Sequence, residues 1–303
     1  MMSTSKTIVF FGSGPVAAKS LELLEQSFAI EAVITKPRPE HHKGDVPIIT
    51  YAEKHNLPYY TATNSKELDS LLASKNFKSR VAILIDFGII VSHNAINTFK
   101  LGIVNSHFSL LPRWRGADPI SFAVLNGDTK TGVSLMLIDT GMDTGNIITQ
   151  KALQMPKDIT TPILTEKLIN LSDELLKIYL PRYLSSDLKP RSQPHPNRAT
   201  YSRKLTKADG IIDWNKPAIV IEREIRAFSG WPGSRTTLFN KDVLITKAHA
   251  VPSNGTPGKV EIAKNTSSIS VYGSTGCICI EKLKPAGKRE MTAKEFISGY
   301  SKK

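Results

Sequence analysis

The sequence predicts an α/β domain on a doubly wound, mostly parallel sheet, followed by a smaller β-barrel domain of OB-like type. Three observations carry that reading. At 303 residues the chain is too long for a single core of roughly 100–150 residues and fits two domains. Strand-like apolar runs alternate with amphipathic helical stretches from Thr7 to about Leu180, the pattern of a parallel sheet wound by helices. From Arg235 onward there are only short strand-like runs between Gly, Asn and Pro turns, which suits a small barrel. The expected division is 1–189, a linker at 190–208, and 209–303.

Thr7 to Phe11 is a buried strand, and Gly12-Ser13-Gly14-Pro15 turns it into an amphipathic helix ending near Leu24. This opening imitates a dinucleotide-binding unit, but Pro15 removes a backbone N–H that a phosphate would want, so a tight strand-to-helix turn is the better reading. A strand from Ile30 to Thr35 leads into Lys36–Asp45, which lacks apolar periodicity and reads as an exposed loop. Its adjacent His41 and His42 have no carboxylate or thiol at coordinating spacing, so no metal is expected. A helix from Ile48 to His55, a strand near Pro58–Tyr60, a helix from Ser65 to Ala73 and a strand from Val81 to Ile85 follow. That last strand ends in Asp86-Phe87-Gly88, where Asp86 is either a cap or part of a pocket.

Gly102-Ile103-Val104 is a buried strand about to end, and Asn105 and His107, two apart, project from one face of that ending. In open α/β sheets ligands sit at the carboxyl ends of strands, so an amide and an imidazole there are placed for chemistry. Pro112, Arg113, Arg115 and Gly116 then form an irregular loop. Pro119 opens a helix to Leu125, and a strand from Thr131 to Ile138 delivers Asp139 and Asp143 into a glycine-containing loop where turn stabilisation is the ordinary use of aspartate. A return strand, Ile147 to Met155, and a long helix from Thr160 to Leu180 complete the first domain, and Pro181 begins a proline-rich, polar stretch. Ala218 to Phe228 is helical, five strands lie between Arg235 and Leu283, and a helix from Ala293 to Ile297 closes the chain.

Composition bounds the function. Apolar content of 40% and charged content of 22% describe an ordinary globular protein. The apolar run after MMSTSK is far shorter than a signal-peptide core or the ~20 residues of a membrane span, so a cytoplasmic protein without a membrane partner is expected. Cys277 and Cys279 are too few for a disulfide framework and read as core thiols. Charge is the informative quantity. From Pro190 onward 20 Lys and Arg stand against 9 Asp and Glu, whereas the preceding part carries 20 against 18. A basic excess confined to one module is an electrostatic footprint for a polyanion, nucleic acid above all.

The ordered set Asn105-x-His107, Ser109-Leu110-Leu111-Pro112, Arg115-Gly116, Pro119 and Asp143-Thr144-Gly145 resembles the folate-dependent formyltransferases, and Arg113-Trp114-Arg115-Gly116 is most similar to their methionyl-tRNA branch. Ala199–Asn215 and Leu283–Lys288 resemble the family's C-terminal domain, so the likeness spans nearly the whole chain. It implies formyl transfer from 10-formyltetrahydrofolate to the amino group of initiator methionyl-tRNA by a monomer, with no metal. It also implies Asn105 and His107 as oxyanion donors and Asp143 as the group that keeps His107 charged and accepts the amine's proton. Folate would lie against Ser109, Leu110, Leu111, Pro112, Asp86, Phe87, Gly88 and Asp139. Arg38, Lys43, Arg113, Arg115, Arg203, Lys204, Lys207 and Lys288 would face tRNA. The family's glycine-arginine-glycine centre is missing from the 36–47 loop, and Phe87 stands where tyrosine is usual. Relatives with the same triad act on sugar nucleotides or hydrolyse formyltetrahydrofolate, and a noncatalytic RNA-binding protein is a further alternative; the basic second half favours the tRNA substrate. Trp214 and Trp231 read as buried aromatics of a small domain rather than as base-stacking groups.

Overall fold

The structure, a computed structural model, describes residues 6–40, 44–263 and 268–300; His41, His42 and Lys43 lie outside them. Two compact units share the chain. One comprises Met1–Pro119, Lys130–Gln154 and Thr165–Ser202, the other Ile120–Thr129, Met155–Leu164 and Arg203–Lys303.

The first unit opens with β1 (Thr7–Phe11), α1 (Pro15–Glu25), β2 (Ala29–Thr35), α2 (Pro47–Lys54), β3 (Tyr59–Thr61), α3 (Ser65–Ser74), β4 (Ala82–Leu84), α4 (His93–Asn97) and β5 (Ile103–His107). The two-residue β6 (Arg115–Gly116) and α5 (Pro119–Leu125) follow, then β7 (Lys130–Leu137), β8 (Ile147–Gln154), α6 (Thr161–Leu184) and β9 (Tyr201–Ser202). The sheet order is β3-β2-β1-β4-β5-β7-β8. Its first five strands are parallel, and β7 and β8 are antiparallel additions. Strand order reverses between β1 and β4, the place where open sheets of this kind leave a crevice.

Local chemistry sets the element ends. Pro15 occupies the first turn of α1, where its missing N–H costs nothing. Asn64 accepts the Glu67 N–H at 3.1 Å while Glu67 accepts the Thr63 N–H at 2.8 Å, fixing the start of α3. The five-residue α4 went unread in the sequence because it buries only Ala95 and so shows no apolar period; Ser92 caps it at 3.1 Å. α6 runs four residues past the expected stop, carrying Pro181 inside it. Burial of Tyr183 and Leu184, and a 2.7 Å bond from the Tyr183 hydroxyl to the Leu101 carbonyl, hold the turn that proline would otherwise break.

The second unit holds α7 (Ala218–Ala227), β10 (Ser234–Leu238), β11 (Lys241–Val251), β12 (Val260–Ala263), β13 (Ser268–Tyr272), β14 (Cys277–Pro285), β15 (Met291–Thr292) and α8 (Ala293–Tyr300). Its antiparallel sheet runs β10-β11-β14-β13-β12, with β15 on β14. Register shifts at Ile245–Ala248 bend the long β11, as a bulge does. The sheet curls into a half-barrel: no pairing joins β10 to β12 among the described residues, so the expected barrel is open. Ile221 and Ile225 of α7 and Phe296 of α8 pack with Ile269, Val271, Ile278, Ile280 and Leu283 from the strands into its core. No helix among the described residues is long and apolar enough to cross a membrane.

Candidate active site

Alternation along β5 decides the site. Ser106 turns to the α6 side, its hydroxyl 2.6 Å from that of Ser172, so Asn105 and His107 share the opposite face. The loop after β7 brings Asp143 to them. Its Oδ1 accepts a long 3.4 Å bond from Asn105 Nδ2, and its Oδ2 lies 3.7 Å from His107 Nδ1. The same Oδ2 accepts the Gly116 N–H at 2.7 Å. His107 is 6% exposed and Asp143 17%, so both groups are largely shielded from solvent. His107 Nε2 donates to the Trp114 carbonyl at 2.8 Å; a carbonyl only accepts, so this nitrogen carries a proton. One ring nitrogen therefore serves the loop and the other faces the carboxylate, and neither is turned to an open position.

The stretch read as a linker does the positioning. Arg191 pairs with Ile147 through two backbone bonds of 2.7 and 2.8 Å. Gln193, 7% exposed, donates from Nε2 to the carbonyls of Asp143 at 2.6 Å and Gly145 at 3.1 Å. Its Oε1 accepts 2.6 Å from Arg115 Nη2. The Thr200 hydroxyl accepts the Trp114 N–H at 2.9 Å, and β9 pairs in parallel with β6. Residues 191–202 thus strap the Asp143 loop and the Trp114–Arg115 loop together within the first unit. Sequence reasoning missed Gln193, because nothing in a proline-rich polar segment marks one amide as a strut.

Gly145 is required by close approach: a Cβ there would stand 1.8 Å from the Leu137 carbonyl oxygen. Gly145→Ala must therefore push the Asp143 loop off β7, and a loss of roughly 1–3 kcal/mol in urea unfolding is expected. A midpoint unchanged from wild type would show that the loop yields freely.

The residues expected around folate separate into two groups. Ser109 and Leu111 are buried, and the Ser109 hydroxyl is spent on the Arg113 carbonyl at 2.6 Å, so these two side chains shape the loop rather than face a ligand. Leu110 and Pro112 are half-buried. Phe87 packs edge-on against Phe11 in the core, its ring centroid 5.3 Å away, while its carbonyl accepts from the Ser13 hydroxyl at 2.7 Å. Gly88 takes a left-handed φ of 66°. Asp139 is exposed and holds its own turn, accepting from Gly141 N–H at 3.0 Å and Thr144 Oγ1 at 2.7 Å.

Asp86 sits at the β1/β4 switch point in front of α1; a Cβ on Gly14 would fall 2.1 Å from its Oδ2. Its outer edge meets solvent, yet protein walls the rest of the carboxyl, and that desolvation pushes its pKa up to about 6, with Lys36 pulling it down and Asp118 adding to the rise. A carboxyl raised on folding favours the folded state below its unfolded value near 3.8, and this contribution disappears as pH rises through about 6. Asp86→Asn is therefore expected to raise the melting temperature relative to wild type more at pH 7 than at pH 4. An equal shift at both pH values would contradict the assignment.

Of the cations expected to face RNA, Arg115 is buried. It is 5% exposed, and its Nη2 is bonded to Gln193. Arg203 is exposed, but both its terminal nitrogens bind Asp209, whose carboxyl this guanidinium holds well below the usual range; its charge is already matched. Arg38, Lys204, Lys207 and Lys288 are exposed, and Arg113 lies 4.4 Å over the Trp114 ring. Lys43 lies outside the described residues.

Residues 6–178 match the formyl transferase family, and residues 204–301 match the formyl transferase C-terminal domain. The chain belongs to the formyl transferase family. A methionyl-tRNA formyltransferase of Myxococcus xanthus is 35% identical over 97% of this chain and 95% of its own length. One from Magnetococcus marinus is 32% identical over 99% of this chain and 97% of its own. Among solved structures, an N-formyltransferase from Helicobacter canadensis, in complex with folinic acid and dTDP-3-aminofucose, superposes with a TM-score of 0.68. It is 21% identical and covers 91% of this chain and 98% of its own, a likeness that speaks to the fold alone. The two family matches leave 179–203 between them, the stretch that contains the strap around Asp143.

Proposed function

We propose that the protein transfers the formyl group of 10-formyltetrahydrofolate to the α-amino group of initiator methionyl-tRNA, the step that prepares this tRNA for translation initiation. The observation that carries the reading is the meeting of Asn105, His107 and Asp143 at the carboxyl end of β5, in a chain 35% identical to a relative named for that activity. The 20-to-9 basic excess after Pro190 supports an RNA acceptor over a small one.

The residues divide the chemistry among them. A neutral amine attacks the formyl carbon, forming a C–N bond and an oxyanion; the bond from that carbon to the folate nitrogen then breaks, and the nitrogen takes a proton. The Asn105 amide, held only by a 3.4 Å bond, is the readiest donor to the oxyanion. His107 joins it when the formyl oxygen replaces the Trp114 carbonyl as the acceptor of the Nε2 proton. Asp143, facing the imidazole at 3.7 Å, orients it and takes the proton shed by the amine. No covalent enzyme intermediate is required.

The test is transfer of labelled formyl to methionyl initiator tRNA, with uncharged tRNA and an amino sugar nucleotide as controls. Label on the charged tRNA alone is expected. Label on the sugar alone would move the assignment to the sugar-nucleotide enzymes.

A further inference from the structure

The two tryptophans of the second unit turn out to be different in kind. Trp214 is half-buried and donates from Nε1 to the Thr236 hydroxyl at 3.1 Å, a packed aromatic with its polar end satisfied. Trp231 is 57% exposed. It stands on a turn that is itself well anchored: Pro232 and Gly233 are buried, Gly233 N–H donates to the Phe228 carbonyl at 2.9 Å, and Gly230 and Gly233 take φ values of 89° and 80°. An ordered backbone therefore presents the Trp231 indole to solvent.

A cation lies beside the turn. Arg235 Nη2 donates to the Pro232 carbonyl at 3.1 Å, which holds that guanidinium next to the turn. The 3-10 turn Lys207–Gly210 packs against it, since a Cβ on Gly210 would meet the Gly233 carbonyl oxygen at 2.1 Å, and Lys207 at the start of that turn is exposed. Ile211, 67% exposed, follows and is bridged to Arg235. An uncovered indole on a turn to which Arg235 is bonded, in a part of the chain with 20 basic and 9 acidic side chains, matches the chemistry of an unpaired base with its phosphates.

We propose that Trp231 is a stacking platform for an unpaired nucleobase of the RNA substrate, with Arg235 and Lys207 placed for the adjoining phosphates. The proposal rests on the tRNA-dependent function above and adds a contact that the family motifs do not mark. Stacking is indifferent to base identity, so the platform contributes affinity and leaves the choice of tRNA to other contacts.

The experiment compares the full-length protein with Trp231→Ala, Trp231→Leu and Trp231→Phe, measuring kcat, KM for methionyl-tRNA and for the folate, and direct tRNA binding. Trp231→Ala is expected to raise KM and Kd for tRNA on the order of 10-fold with kcat and the folate KM unchanged. Phenylalanine, which stacks, should recover most of this, and leucine, apolar but without a ring face, should not. Should the alanine variant melt early, the comparison of Phe with Leu, made where both are folded, decides. TRNA binding by Trp231→Ala within twofold of wild type overturns the proposal, as does equal recovery by Leu and Phe. Loss of a self-associated species in Trp231→Ala, seen by sedimentation, would instead make the patch an interface between copies and overturn it too. If wild type moves no formyl to methionyl-tRNA, the functional reading falls, while the binding series still decides the role of Trp231.

Discussion

Asn in place of Asp143 is expected to lower kcat for formyl transfer by roughly 10²–10⁴-fold, the range over which a positioned proton acceptor contributes. The substitution separates charge from geometry. Asp143 sits at φ 51°, a left-handed position that asparagine tolerates, and the amide oxygen can still accept the Gly116 N–H now bound at 2.7 Å. The loop should therefore stay in place, with the melting temperature within a few degrees of wild type. What disappears is the negative charge 3.7 Å from His107 Nδ1 and a base for the amine's proton. Asn105→Ala and His107→Ala should lose on the order of 10²–10³ in turnover as single oxyanion donors. Steady-state assays with saturating folate and charged tRNA check all three. A folded Asp143→Asn enzyme with the wild-type rate would remove the carboxylate from the chemistry.

How much of this was legible in the sequence follows from which signals are local. Asn105 and His107 were readable because residues two apart on a strand share a face, and β5 buries Ile103 and Val104 just before them. The alternation of strands and helices gave the parallel sheet for the same reason, and the short runs after Arg235 gave the curled one. Asp143 was not readable from spacing: two loop aspartates look alike, and only resemblance chose between them. The structure now separates them physically, since Asp139 closes its own turn while Asp143 faces Asn105, His107 and Gly116. Arg115, expected to face tRNA, is buried at 5% exposure. Its guanidinium bonds to Gln193, 78 positions away, and no local pattern encodes such a partner.

That partner makes the second large prediction. Gln193→Ala removes the donor shared by the carbonyls of Asp143 and Gly145, at 2.6 and 3.1 Å, and strips Arg115 Nη2 of its acceptor. Arg115 Nε is already buried without a side-chain or backbone partner, so the variant leaves a buried cation nearly unsupported. Leaving such groups unsatisfied costs about 1–3 kcal/mol each, enough to lower the unfolding midpoint measurably. The kinetic consequence is separable from that loss. Gln193 touches none of the reacting atoms; it fixes where the Asp143 loop sits, and a displacement of even 1 Å at a catalytic group is worth on the order of 10²-fold in rate. We therefore expect kcat to fall roughly 10- to 100-fold in Gln193→Ala, with KM for both substrates nearly unchanged. Gln193→Glu provides the counter-test, because it keeps an acceptor for Arg115 but turns a second oxygen toward two carbonyls that need a donor. If the amide's N–H groups are what matter, Glu should be as slow as Ala although it retains the Arg115 contact. A glutamate variant with wild-type kcat would place the function of the strap in the Arg115 pair alone, and an alanine variant that is less stable but equally fast would reduce Gln193 to a structural bond.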